Sequence, residues 1–156
     1  MINPTDFYKT AGLLANSNDE CHIRTSISRS YYGLFLYIRD YLVSQGVKLP
    51  PHNEKSHHSF IRECIKKSRF YKDKKESGNT NKKGVDKIIV GILKRFETLQ
   101  SNRFRADYEL TLLYRQKDSE DNLRLAKTAV DDIQKLQDTG RKKHIVSIAN
   151  LHASKY

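Results

Sequence analysis

Residues Ile88–Tyr108 read IIVGILKRFETLQSNRFRADY. Ile88, Ile89, Ile92, Leu93, Phe96 and Leu99 recur at helical intervals, and the pattern resumes at Ala106 and Leu110. At 3.6 residues per turn that spacing draws one apolar stripe along a helix. Arg103 takes the next place on the stripe, one turn after Leu99, inside the polar cluster Asn102-Arg103-Phe104-Arg105-Ala106-Asp107-Tyr108. An unpaired charge on a buried face is costly, so this guanidinium needs an acceptor or solvent. Arg103 therefore either ties helices together, with Asp107 one turn on as an ordinary ion-pair partner, or faces a cleft where an anion binds.

The same period runs outward from this helix. Asn3-Pro4-Thr5-Asp6 has the form of a helix start: a capping Asn, Pro at the first helical position and an acid in the first turn. That helix is expected to reach about Ala15. A second, from about Asp19 to Gln45, carries Ile27, Tyr31, Leu34, Phe35, Ile38 and Leu42 on one face, and Gly46 ends it. Pro50-Pro51 enforces an extended turn. A third helix places His57, Phe60, Ile61, Cys64 and Ile65 on one side. The fourth runs from about Val85 past Arg103. A fifth is expected from Asp118-Ser119, burying Leu123, Ala126, Val130, Ile133 and Leu136, with Gly140 closing it. No strand-like alternation and no internal repeat is present. The expected fold is all-α, an antiparallel bundle of four to five helices over 1–140, followed by a basic C-terminal tail, 141–156, helical or loose.

The chain has 156 residues and a formal net charge of +11, enough length for one domain with its own core. From Arg62 to Arg105 there are fourteen Lys and Arg against five Asp and Glu, a net of +9, so nearly all the excess charge is concentrated there. Such a balance calls for RNA or another polyanion as partner, a solvated surface run being the bland alternative. On this reading the anion-facing candidates are Arg29, Lys72, Lys74, Lys75, Lys82, Lys83, Arg95 and Arg105, with Lys72–Lys83 a polar loop that has nothing to pack. Cys21 and Cys64 read as reduced, buried small residues rather than a disulfide framework. No basic-then-apolar leader opens the chain and no apolar run nears the ~20 residues of a membrane span, so a cytoplasmic protein without membrane contact is expected. His52, His57, His58 and Cys64 lack any metal-ligand spacing, so no metal and no cofactor is expected.

Two motifs resemble the HEPN superfamily of small helical proteins found in toxin–antitoxin and antiviral systems. Ser28-Arg29-Ser30-Tyr31-Tyr32-Gly33-Leu34-Phe35 is similar to that family's second-helix signature, and Arg103-Phe104-Arg105-Ala106-Asp107-Tyr108 to its fourth. A His at the opening of the third helix, His57 or His58, also fits, and the resemblance covers about Thr5 to Leu136. It implies a HEPN-like fold, a symmetric homodimer, and a nucleotidyltransferase-like antitoxin or defence partner. It implies action on RNA in one of two ways. The chain is a metal-independent ribonuclease, as toxin or antiviral component, or a catalytically degenerate module that binds nucleic acid, a nucleotide or a partner protein without cleavage.

In the family's nuclease pattern Arg offsets charge on the scissile phosphate and a His beyond it moves the proton. Here Tyr108 stands in the place of that His, and a phenol with a pKa of ~10 is a poor base at neutral pH. The candidate catalytic residues implied by the resemblance are Arg103, Asp107 and Tyr108. Read from their spacing alone, Arg103 and Asp107 are equally well a structural ion pair, and Tyr108 a packed aromatic with a bonded hydroxyl. His57 on its apolar face reads as a satisfied core histidine, or as the imidazole that the fourth helix lacks.

Overall fold

The computed structural model describes residues 3–51, 54–68, 87–136 and 140–154. Among these the chain is all-helical, without a strand. The helices are α1 (Pro4–Ala15), α2 (Glu20–Ser44), α3 (Glu54–Ser68), α4 (Lys87–Tyr108), α5 (Gln116–Lys135) and α6 (Gly140–Ala153). None is long and apolar enough to cross a membrane.

The ends follow local chemistry. Asn3 caps α1: its side chain accepts from the Thr5 N–H at 3.0 Å, while the Asp6 carboxylate accepts from the Asn3 N–H at 3.0 Å, with Pro4 between. That backbone bond from Asn3, and then Lys9, hold the Asp6 carboxyl below its ordinary value. Asp19 caps α2, accepting from the Cys21 N–H at 2.8 Å. At the other end Gly46 turns left-handed, with φ of 80°. There the Val47 N–H donates to the Leu42 carbonyl and the Gly46 N–H to the Val43 carbonyl, at 3.1 and 2.9 Å. This is a Schellman closure that only glycine enters without strain.

Three expectations are corrected. The fifth helix starts at Gln116, because Asp118 does not open it but reaches back to accept from the Arg115 N–H at 2.7 Å. Gly140 does not close α5; it begins a sixth helix that takes up most of the segment expected as a tail. Cys21 is exposed and only Cys64 is buried; both are free thiols.

The chain divides into two compact units, one of Met1–Ile38 with Lys94–Asp131, the other of Arg39–Leu93 with Asp132–Tyr156. In the first, Tyr31, wholly buried on α2, meets Phe96 of α4 edge-on with ring centres 5.6 Å apart. Ile23, Ile27 and Ala106 form a buried cluster against Tyr114. Buried hydroxyls tie the helix ends: Ser26 donates to the Ala11 carbonyl at 2.8 Å and Ser119 to the Ala15 carbonyl at 3.0 Å. Gly33 lets the Tyr8 ring lie against the α2 backbone; a Cβ there would stand 2.6 Å from a ring carbon. In the second unit α3 and α6 pack on each other, with Phe60 stacked on His152 at 5.3 Å. Phe60, Ile61, Cys64 and Ile65 are buried, as the stripe on α3 predicts.

Candidate functional site

Ser28 and Tyr32 stand one turn apart on α2, and Arg103 and Asp107 one turn apart on α4. The first unit brings these pairs face to face. The Ser28 hydroxyl donates to Asp107 Oδ1, and Asp107 Oδ2 lies 2.7 Å from Arg103 Nε. Arg103 Nη2 donates to the Tyr32 hydroxyl at 2.8 Å. Four side chains thus form a linked polar network between α2 and α4, Ser28–Asp107–Arg103–Tyr32. A guanidinium whose charge is matched by a carboxylate can sit on an otherwise apolar stripe, although Arg103 Nε lies beside Asp107 without hydrogen-bond geometry. The network is not sealed off, since the Arg103 and Asp107 side chains keep 23% and 28% of their exposure. Arg103 Nη1 has no acceptor among the described residues, which leaves one edge of the fork for an anion.

Aromatic rings flank this core. The Arg103 guanidinium carbon is 5.2 Å from the Tyr32 ring centre and 5.7 Å from that of Tyr108. Tyr32 neighbours Phe7 at 6.4 Å, and the exposed Arg29 lies over Phe7 at 5.4 Å. Tyr108 in turn neighbours Phe104 at 5.0 Å. Two guanidinium groups and four rings form one run, Arg29–Phe7–Tyr32–Arg103–Tyr108–Phe104, each contact within cation–π or aromatic range. At the Arg29 end the surface dips into a hollow of about 330 Å³ lined by Asp6, Phe7, Thr10 and Arg29.

The end of α4 is held in place by Arg24 of α2. Its Nη1 donates to the carbonyls of Ala106 at 2.7 Å and Glu109 at 3.4 Å, and its Nη2 to that of Leu112. Glu20 balances the charge at 2.7 Å, and Tyr114 lies beneath at 4.9 Å. The last carbonyls of a helix have no partner within it, and a planar fork with several donors meets that need.

Arg103 and Asp107 pair with one another, as their spacing allows. Tyr108 is not packed: it is 61% exposed, and its hydroxyl has no partner among the described residues. Arg29 is exposed and forms no ion pair among them, while Arg105 is spent on Glu109 at 3.4 Å. Arg95 is half-buried and engaged. Lys72, Lys74, Lys75, Lys82 and Lys83 lie outside the described residues. Leu110, expected on the stripe, falls beyond the end of α4 and is 79% exposed. His57, in the second unit, has Nε2 2.9 Å from the Pro50 carbonyl oxygen, which engages that nitrogen. Ser28, Tyr32 and Arg24 are not among the candidate site residues that the sequence singles out. Ser28 and Tyr32 lie within the second-helix motif at a one-turn spacing that matches Arg103 and Asp107. Nothing in the sequence marks Arg24, whose partners are backbone carbonyls more than eighty residues away. Comparison with protein-family models, with curated proteins and with solved structures finds no match to this chain.

Proposed function

We propose that this chain is a HEPN-like helical protein that binds RNA on the α2–α4 face of its first unit and does not cut it. The observation that carries the reading is the linked set Ser28–Asp107–Arg103–Tyr32, in which the carboxylate is fully engaged. Hydrolysis or transesterification of RNA needs a group that takes a proton from the attacking oxygen, with a pKa near the working pH. Asp107 spends both carboxylate oxygens on Ser28 and Arg103. Tyr108 offers only an exposed phenol, and no imidazole contacts Arg103 among the described residues. What remains is suited to holding: an edge of Arg103 and the Arg29 guanidinium, neither with an acceptor among the described residues, in a chain of net charge +11. Phosphate binding by such charges is driven by counterion release.

The test is fluorescence anisotropy with a labelled RNA over a range of salt, run beside a cleavage assay with chelator present. Expected are saturable binding and a log–log salt slope of ~−0.7 per phosphate contact, with the RNA intact. Arg29→Gln should weaken binding and flatten the slope. Binding that ignores salt would sink the electrostatic reading. Metal-independent cleavage lost on Arg103→Ala would replace it with the nuclease reading.

A further inference from the structure

Resting on the RNA-binding reading, we infer that the strand held is unpaired, and that Phe104 and Tyr108 are the platform on which its bases stack. The two side chains stand one turn apart near the end of α4, with ring centres 5.0 Å apart and a 48° tilt between the planes. They are 55% and 61% exposed, although the same helix buries Phe96 completely. Large rings left in water on a well-packed helix mark a surface that meets something. Tyr108 is next to the Arg103 guanidinium, so a base on this platform sits within reach of a donor edge for its phosphate. Rings interleaved with cations distinguish single-strand binders. Every unpaired base has an accessible π-face, whereas a duplex keeps its faces stacked and offers phosphates alone. The charge of the chain, +11, selects a polyanion over an apolar or cationic occupant.

Charge and stacking are separable in experiment. The probes are labelled oligouridylate, oligoadenylate and an RNA duplex of equal length, measured on the full chain by anisotropy. Nine Tyr and no Trp give a second signal, since a base stacked on Tyr108 quenches tyrosine fluorescence. The wild type is expected to bind both single strands more tightly than the duplex. Phe104→Ala and Tyr108→Ala should each weaken single-strand binding by roughly 5- to 100-fold. They should leave duplex affinity, the salt slope and the melting temperature in place, because neither ring is in the core. Tyr108→Phe keeps the face and should keep the affinity. Equal affinity for strand and duplex, unmoved by either Ala variant, would overturn the platform and leave the charge-based reading standing. Failure to bind any of the three probes would remove both. Loss of RNA binding together with a fall in molar mass on light scattering would also overturn the platform, because it would show the rings to be covered by a second copy of the chain.

Discussion

Arg103 shows how much one residue's context decides. Its place on the stripe after Leu99, and Asp107 one turn on, made an ion pair readable from spacing. The α2 half of the network was not readable in the same way, because Ser28 and Tyr32 are more than seventy residues distant and meet α4 only through tertiary packing. Gly33 belongs to the same helix, and its role is invisible in sequence, where glycine in a helix reads as a weakness. Replacing it by Ala gains ~1 kcal/mol of helix propensity. The added methyl would then stand 2.6–3.0 Å from three carbons of the Tyr8 ring, and overpacking of this kind costs ~1–3 kcal/mol. The ring is a rigid body with its hydroxyl already buried, so it yields little. Gly33→Ala is therefore expected to lower stability by up to about 2 kcal/mol. A urea midpoint equal to or above that of the wild type would show that Tyr8 swings aside freely.

At the scale of elements, most of the helices were legible because their stripes are continuous: Ile27 to Leu42 on α2, Phe60 to Ile65 on α3 and Ile89 to Leu99 on α4 are buried as spaced. α6 is not decided by its sequence, because only Ile145 and Ala149 are buried among the residues described there. The end of α4 depends on Arg24, whose side chain is only 14% exposed. Arg24→Ala removes the donors to Ala106, Glu109 and Leu112, and such charge-assisted bonds contribute ~1–3 kcal/mol. We expect that loss in stability, with faster hydrogen exchange at the Glu109 amide, which now donates to the Arg105 carbonyl at 2.9 Å. Arg24→Lys should not restore it, since an ammonium cannot present the planar fork. Unchanged exchange at Glu109 would mean that the last turn holds without the clamp. On α3, burial pushes the Cys64 thiol up from 9.0 to about 12, with Lys67 opposing and Glu63 adding to the rise. The folded state thus favours the neutral thiol. That contribution is complete below the unfolded value and is lost as pH climbs toward the folded one. Melting temperature should fall from about pH 9 upward, and Cys64→Ala should make the fall shallower. Parallel profiles for the two proteins would rule the thiol out as the cause.

For the whole molecule, the helical class follows from seven Gly, three Pro and unbroken 3.6-residue periods. The division into two units was not legible, because it falls inside the continuous helices α2, α4 and α5. Assembly is likewise absent from the spacing; the homodimer is implied by the HEPN resemblance. The first unit does carry apolar surface beyond the Phe104–Tyr108 platform. Leu110 and Leu113, just after α4, are 79% and 84% exposed. A closed two-fold pair would bring each such patch against its own copy, with the platform left for RNA. Light scattering at micromolar concentration should then give twice the 18.2 kDa of the chain. Leu110→Ser with Leu113→Ser should bring the mass back to one chain without lowering the melting temperature of the monomer, since neither side chain is buried. Single-strand RNA should still bind that variant, more weakly where two platforms share one strand. A wild-type mass of 18.2 kDa would sink the pairing and leave each chain to bind RNA alone. A doubled mass that survives the two substitutions would place the interface away from these leucines.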